Sequence, residues 1–273
     1  MKGNAFLYVY NKKNGMFESL VFAGREYIDR PVELNIWRAP TDNDMYARLE
    51  WKKAHYDKAC VRAYHTDIFQ SRDGVSLFVK ASMSAATIQK ILDASITWHI
   101  ACDGSITSDI HVKKNEEFPD LPRFGLRLFL NRNLKNVSYF GMGPHESYRD
   151  KHRSTSHGLY RAKVSEMHED YLMPQENGSH FDCDYVDIAN GQFGFAAASE
   201  KTFSFNASVY TQEELERAAH NYELEVSDHT VLCLDYAQHG IGSNSCGPVL
   251  SDPYRFNDVE FRFSIKLIPY VKG

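Results

Sequence analysis

Apolar residues recur at every second position along much of the chain. Val75, Leu77, Val79 and Ala81 fall on one face of a strand, as do Phe203, Phe205, Ala207 and Val209. Phe261, Phe263, Ile265 and Leu267 repeat the pattern, with Arg262, Ser264 and Lys266 between them. A period of two sends alternate side chains to opposite faces, so these runs predict antiparallel strands with one face buried and one wet. Turn dipeptides separate them. Asp103-Gly104 stands between ITWHIAC and SITSDIHV, and both residues tolerate the positive φ of a tight hairpin. Asn14-Gly15, Asp73-Gly74 and Asn190-Gly191 read the same way.

Helical periodicity is scarce. Thr211 can cap TQEELERAAHNYEL, and Glu214 at the third position after it completes a capping box. Leu215, Ala218, Ala219 and Tyr222 would then share a face. A weaker helix is predicted over Ala47–Tyr56, where Trp51, Ala54 and His55 recur. One or two short helices among many strands argue for an all-β protein, a large antiparallel sandwich. No linker, low-complexity tract or internal repeat interrupts residues 1–273, so a single domain is expected. Two segments depart from the strand rhythm. They are Trp37–Asp57 and Tyr139–Asp184, the latter dense in His, Glu, Asp, Gly and Pro. Long irregular connections on a sheet scaffold are where binding residues concentrate.

Composition narrows the function. The net charge of −5 offers no basic footprint, so neither nucleic acid nor an anionic membrane is an expected partner. No apolar run reaches the roughly 18 residues that a spanning helix needs, and AFLYVY is too short for a signal peptide. The cysteines, Cys60, Cys102, Cys183, Cys233 and Cys246, are widely spaced with no CxxC. That argues against a disulfide framework or zinc site and for a cytoplasmic location. Sixteen Tyr, seventeen Phe and three Trp suit a pleated core. Flat rings also suit the apolar faces of sugars.

Four constellations carry the polar chemistry. In Arg38-Ala39-Pro40-Thr41-Asp42-Asn43-Asp44, the Asx residues can cap local backbone N–H groups. A glycosidase acid and nucleophile must flank a sugar about 5–5.5 or 6.5–9.5 Å apart, which two carboxylates on one loop place poorly. Gly141-Met142-Gly143-Pro144-His145-Glu146-Ser147-Tyr148-Arg149-Asp150 is no phosphate loop, since Pro144 lacks an N–H and no Lys-Ser/Thr follows. His145, Glu146, Asp150, His152 and His157 lack a zinc-ligand spacing, so no metal is assigned. Pro174-Gln175-Glu176-Asn177-Gly178 reads as a turn with a capping or cleft carboxylate. In His239-Gly240-Ile241-Gly242-Ser243-Asn244-Ser245-Cys246-Gly247-Pro248 the order does not fit a nucleophile elbow. No helix follows that would stabilise a Cys246 thiolate with His239 as base. Small neutral hydrogen-bonding side chains suit a sugar rim better.

These motifs, in this order, resemble the C-terminal domain of β-galactosidases of glycoside hydrolase family 2, a unit that also forms much of the separately encoded small chain of two-gene versions. The matching pieces are WRAPTDND (Trp37–Asp44), YFGMGPHESYRD (Tyr139–Asp150), MPQENG (Met173–Gly178), FNASVYTQEEL (Phe205–Leu215) and HGIGSNSCGP (His239–Pro248). The resemblance implies a large antiparallel supersandwich, similar to galactose mutarotases. It implies that the two catalytic glutamates and the Mg2+ and Na+ of the whole enzyme lie in an upstream (β/α)8 barrel, so no catalytic residue and no cofactor is expected in this chain. The barrel, in the same chain or a large subunit, and a lactose-like β-galactoside are the implied partners. Arg38, Asp42, Asn43, Asp44 and Met45, with Ser243, Asn244, Ser245 and Cys246, would rim the substrate pocket. Met45–Leu49 looks like a mobile entrance loop. His145, Glu146, Glu176 and Asn177 are expected in structural or cleft roles. At the position where some members place a tryptophan platform this chain has Cys246 or Gly247, which predicts a pocket edge without a stacking ring. An apolar face left bare by the missing barrel would favour a homo-oligomer. An autonomous carbohydrate-binding module and a stand-alone aldose epimerase are the rival readings.

Overall fold

Every strand pair in this protein is antiparallel. The computed structural model describes residues 1–242 and 244–272. Strands β1 (Phe6–Asn11), β2 (Met16–Phe22) and β3 (Arg25–Glu26) form a small sheet. Twelve further strands form one large branched sheet. These are β4 (Ile28–Asn35), β5 (Cys60–Gln70), β6 (Gly74–Ser84), β7 (Leu92–Ala101), β8 (Ile106–Lys114), β9 (Arg123–Asn131), β10 (Asn136–Gly143), β11 (Ser156–Lys163), β12 (Ser179–Ala189), β13 (Phe193–Ser208), β14 (His229–Gln238) and β15 (Glu260–Val271).

The branch point is β13. Its first half, Phe193–Ala198, pairs with β15 and so joins the run β15-β8-β7-β6-β5. Its second half, Ser204–Ser208, pairs with β14, which leads on to β9 and β4. The forking layers enclose a continuous apolar cluster in which Trp98, Phe124, Phe195, Phe205 and Leu232 are all at 0% exposure. Tyr8 ties the small sheet on, donating its hydroxyl to the Gly104 carbonyl at 2.6 Å. The result is an all-β antiparallel supersandwich.

The alternation behaves as the sequence predicts where only one face is covered. β15 alternates buried and exposed residues from Glu260 to Lys266. In the second half of β13 both faces are covered, so Ser204 and Asn206 are buried beside Phe203 and Phe205. Gly15, Gly74 and Gly104 supply the positive φ of three hairpins, at 76°, 155° and 88°.

Three expectations are corrected. Helix α2 spans only Gln212–Arg217. Thr211 does cap it, accepting the Glu214 N–H at 3.1 Å. The Glu214 carboxylate, however, turns to Arg217 (2.7 Å) and to the Glu225 N–H (2.8 Å) instead of completing the box. The Ala219 N–H is taken by the Glu223 carboxylate at 2.9 Å, so the chain leaves the helix and Tyr222 ends 78% exposed, off the apolar face. The weaker helix, α1, runs Ala47–Lys53 and stops short of Tyr56, with Trp51 as its buried residue. The segment Tyr139–Asp184 is not irregular throughout, for it contains β11 and the ends of β10 and β12. β11 is an edge strand paired only with β10, so nothing requires an apolar face, and the polar run SHGLYRAK hides it.

β9 and β14 place the residues that matter below. Gly125 lies directly opposite Asp235 in register. A Cβ on Gly125 would collide with the Leu234 carbonyl and crowd the Asp235 carboxylate. Gly125→Ala is therefore expected to destabilise the fold by about 1–3 kcal/mol through overpacking, measured by urea unfolding. A change within error would show that β9 and β14 can spread apart at this point.

Candidate functional site at the loop end of the sandwich

The four motifs meet at one end of the sandwich, and side chains tie each to the next. Arg38 is fully buried. Its Nη2 donates to both oxygens of Asp44, at 2.8 and 3.0 Å. The same guanidinium donates to the His239 carbonyl and, at 3.4 Å, to the Gly240 carbonyl. Asp44 Oδ2 accepts the Thr41 N–H at 2.8 Å, so the WRAPTDND loop closes on its own ion pair. Asn43 Nδ2 donates to the Ile241 carbonyl at 2.6 Å. Asp150 accepts the Ile241 and Gly242 N–H groups at 3.1 and 2.7 Å, which brings in the second motif. The third is held by Glu176 N–H to the Ala39 carbonyl (3.1 Å) and Asp42 N–H to Gln175 Oε1 (3.1 Å). Gly178 N–H donates to Glu146 at 2.8 Å and closes the knot.

A second buried cluster underlies it. Arg123 Nε and Nη2 donate to the two Asp235 oxygens at 3.1 and 2.5 Å, and Nη1 donates to Glu176 at 3.1 Å. Burial opposes charge on Arg123, but Asp235 and Glu176 outweigh it, so the guanidinium stays protonated. Burial pushes both carboxylates above their usual range, while Arg123 pulls them back. Glu176 leaves Oε1 without a partner among the described residues.

The expected rim residues thus divide. Asp42, Met45 and Cys246 are exposed, and Asn43, Asn244 and Ser245 are partly so. Arg38 and Asp44 sit beneath the rim with their charges spent on each other. Ser243 lies outside the described residues. His145 is exposed, while Glu146, Glu176 and Asn177 are buried at 7%, 3% and 5% exposure. Glu146 is engaged by Lys151, Tyr171 and Gly178, and Asn177 accepts the Glu169 N–H at 3.0 Å. No group of three or more His, Cys, Asp or Glu side chains able to hold a metal occurs among the described residues. The buried carboxylates do not fit such an ion, since each is already matched to a cation or a backbone donor. Arg123 and Asp235 were not anticipated, and Asp150, weighed in the sequence only as a metal ligand, serves as an anchor for the Ile241 and Gly242 N–H groups. A charged residue inside an apolar strand, as in PRFGLRLFL and VLCLDYAQ, is the signal by which Arg123 and Asp235 could have been found.

The fold defines the class. A galactose mutarotase-like protein from Lactobacillus casei superposes with a TM-score of 0.51 at 11% identity, covering 100% of this chain and 99% of that one. The family follows from sequence. The β-galactosidase small chain family model matches residues 2–267, and this chain belongs to that family. The β-galactosidase of Actinobacillus pleuropneumoniae is 46% identical over 96% of this chain but only 26% of its own length. That of Staphylococcus xylosus is 36% identical over 97% of this chain and 27% of its own. The chain therefore spans about a quarter of the length of these relatives.

Two predictions follow from the electrostatics. Arg123→Met leaves two buried carboxylates without their counter-ion and is expected to cost about 3–5 kcal/mol at pH 7 in urea unfolding. Burial, opposed by weaker hydrogen-bond and charge effects, lowers His180 to about 4, and burial with help from Arg38 lowers His239 to about 4. Both rings are neutral when folded, so the unfolded chain binds the extra protons between pH 6.5 and 4. Their stabilisation is complete above the unfolded pKa and is lost as pH falls. Linkage gives a loss of about 2 kcal/mol per ring between pH 7 and pH 5. The raised carboxylates act in the opposite sense, so the reading is taken by difference. His180→Asn should flatten the pH 5–7 slope of unfolding free energy, and an unchanged slope would refute the assignment.

Proposed function

We propose that this chain is the non-catalytic C-terminal part of a retaining β-galactosidase, as a small subunit or as a domain of a longer chain. It supplies a wall and the entrance loop of the pocket that receives terminal β-D-galactosides such as lactose. The observation that carries this reading is the match itself, nearly all of this chain against about a quarter of each relative. The geometry supports it. The knot of four loops is cross-linked by buried hydrogen bonds, and Met45, Tyr46, Leu172 and Val249 on the neighbouring loops, with Leu49 on α1, are 40–77% exposed. Such apolar exposure suits a surface that another part of the enzyme covers. The unpaired cysteines suit a reducing cytoplasm.

Retention requires one carboxyl as acid/base and another as nucleophile, both free to act at the sugar. Glu146 and Glu176 are not free, because Lys151 and Arg123 hold them. On this reading the reacting glutamates, and the ions that the resemblance implies, belong to the portion outside this chain. The role left here is to shape the pocket and exclude water.

The purified chain is expected to show no hydrolysis of a chromogenic β-galactoside. Replacing the matching quarter of the Actinobacillus pleuropneumoniae enzyme with this chain is expected to give an active chimera. In that chimera Asp44→Asn should lower kcat/KM by about 10-fold or more, because the rim loop loses its internal ion pair and shifts. A soluble chimera without activity, or turnover by the chain alone, would overturn the proposal.

A further inference from the structure

One edge of the large sheet is left open over half its length. β5 ends the run β15-β8-β7-β6-β5 and pairs only with β6. The Ser71 N–H donates to the Gly74 carbonyl at 2.9 Å and closes the β5–β6 hairpin. Bonded and non-bonded pairs alternate from there along an antiparallel ladder. Thr66, Ile68 and Gln70 therefore turn their backbone N–H and C=O groups away from β6. Among the described residues nothing bonds to those groups. Nearer the start of the strand the edge is closed. A bulge falls between Ala63 and His65, and the Ala63 N–H donates to the Lys13 carbonyl at 2.8 Å. The open edge is thus the stretch from Thr66 to Gln70.

Its side chains are apolar for so exposed a place. Ile68 and Phe69 are 51% and 59% exposed, and Phe78 beside them on β6 is 44% exposed. The rings of Phe69 and Phe78 meet edge-on at 5.4 Å between centroids. An unpaired strand edge with apolar side chains is a template for another strand.

The open stretch is its own complement. A two-fold axis through Ile68, perpendicular to the sheet, sets Ile68 opposite Ile68 of a second copy and Thr66 opposite Gln70. Each outward N–H then finds an outward C=O. The two Ile68 side chains meet on one face, and on the other the two Phe69 rings become diagonal neighbours. The same axis carries the Arg72-Asp73 turn of each copy toward the bulge of the other. There Asp73 faces the exposed cations Arg62, Lys12 and Lys13, while Arg72 falls beside the Tyr64 ring, which is 62% exposed. Symmetry repeats each of these contacts, so the charges are complementary twice over.

We propose that the β5 edge is the surface by which two copies of this chain associate, continuing the large sheet across a two-fold axis. So short a strand falls below the roughly 800 Å² per partner of a standard interface, which makes the dimer weak, with Kd of about 100 μM. The contact uses none of the loops of the knot, so it stands or falls apart from the β-galactosidase reading.

The test is sedimentation velocity of the 273-residue chain from about 5 μM to about 1 mM. A shift from monomer to dimer across that range is expected. Ile68→Lys, at a half-exposed position, should hold the chain monomeric throughout, with its far-UV circular dichroism unchanged. Arg62→Asp and Asp73→Arg should each weaken the dimer about 10-fold, and the double variant should restore it, because the swapped charges again face each other. A chain that stays monomeric at about 1 mM would overturn the proposal. So would a dimer that Ile68→Lys leaves intact, since the contact would then lie at the apolar loop end. Charge variants that dimerise as well as the parent would overturn the register, and the proposal with it.

Discussion

The loop end of this protein depends on one buried guanidinium. Arg38 has no exposure, and taking a charge out of water costs several kcal/mol unless its partners return most of it. Asp44 returns the charge. The carbonyls of His239 and Gly240 take further donors, leaving only Nε without a partner among the described residues. A lysine could not do this, since a point charge lacks the planar fork that bonds in several directions at once. Its contribution is one of specification more than of net stability. Loops distant in sequence have a single arrangement in which this group is satisfied.

The sheet makes that arrangement repeatable. Gly125 clears space opposite Asp235, Asp235 and Glu176 flank Arg123, and the backbone of Glu176 reaches Ala39 in the first loop. Strand register, a buried ion triad and an irregular loop are thereby linked without a break. Because β9 and β14 are packed on both sides, a shift at the loop end is resisted by the core and not only by surface contacts.

Most of the fold was legible in the sequence, because alternation reports burial on one face directly. It succeeded in β15 and at the hairpins built on Gly15, Gly74 and Gly104. It failed where that premise failed. β11 is a polar edge with no buried stripe, and α2 ends early because Glu214 and Glu223 bond to backbone groups downstream of it. The loop motifs were legible as a set, and their convergence is what the structure displays. Which members face solvent was not legible. Asp42 and Asp44 have the same side chain two positions apart, yet one is exposed and the other is locked beneath it. That difference is decided by Arg38, whose own burial no local pattern announces. Arg123 and Asp235 escaped notice for a related reason. Each looks like an interruption of a strand until its partner, more than a hundred residues away, is placed beside it.

On the reading proposed above, the same economy of charge explains why this part of the enzyme carries no reacting group. A general acid or nucleophile needs an oxygen that can change its protonation or its bonding at the substrate. The deeply buried carboxylates of this end are committed: Asp44 to Arg38, Asp235 and Glu176 to Arg123, and Glu146 to Lys151. Releasing Asp44, Asp235 or Glu176 for chemistry would leave a buried guanidinium short of a partner, and releasing Glu146 would break its bonds to Lys151, Tyr171 and the Gly178 N–H. Groups that fix a wall and groups that turn over substrate make opposite demands, and the proposed reading assigns them to different portions of the molecule. What remains at the rim are neutral groups, among them the partly exposed Asn244 and Ser245. On that reading these can meet a sugar without disturbing the charges that hold the loops.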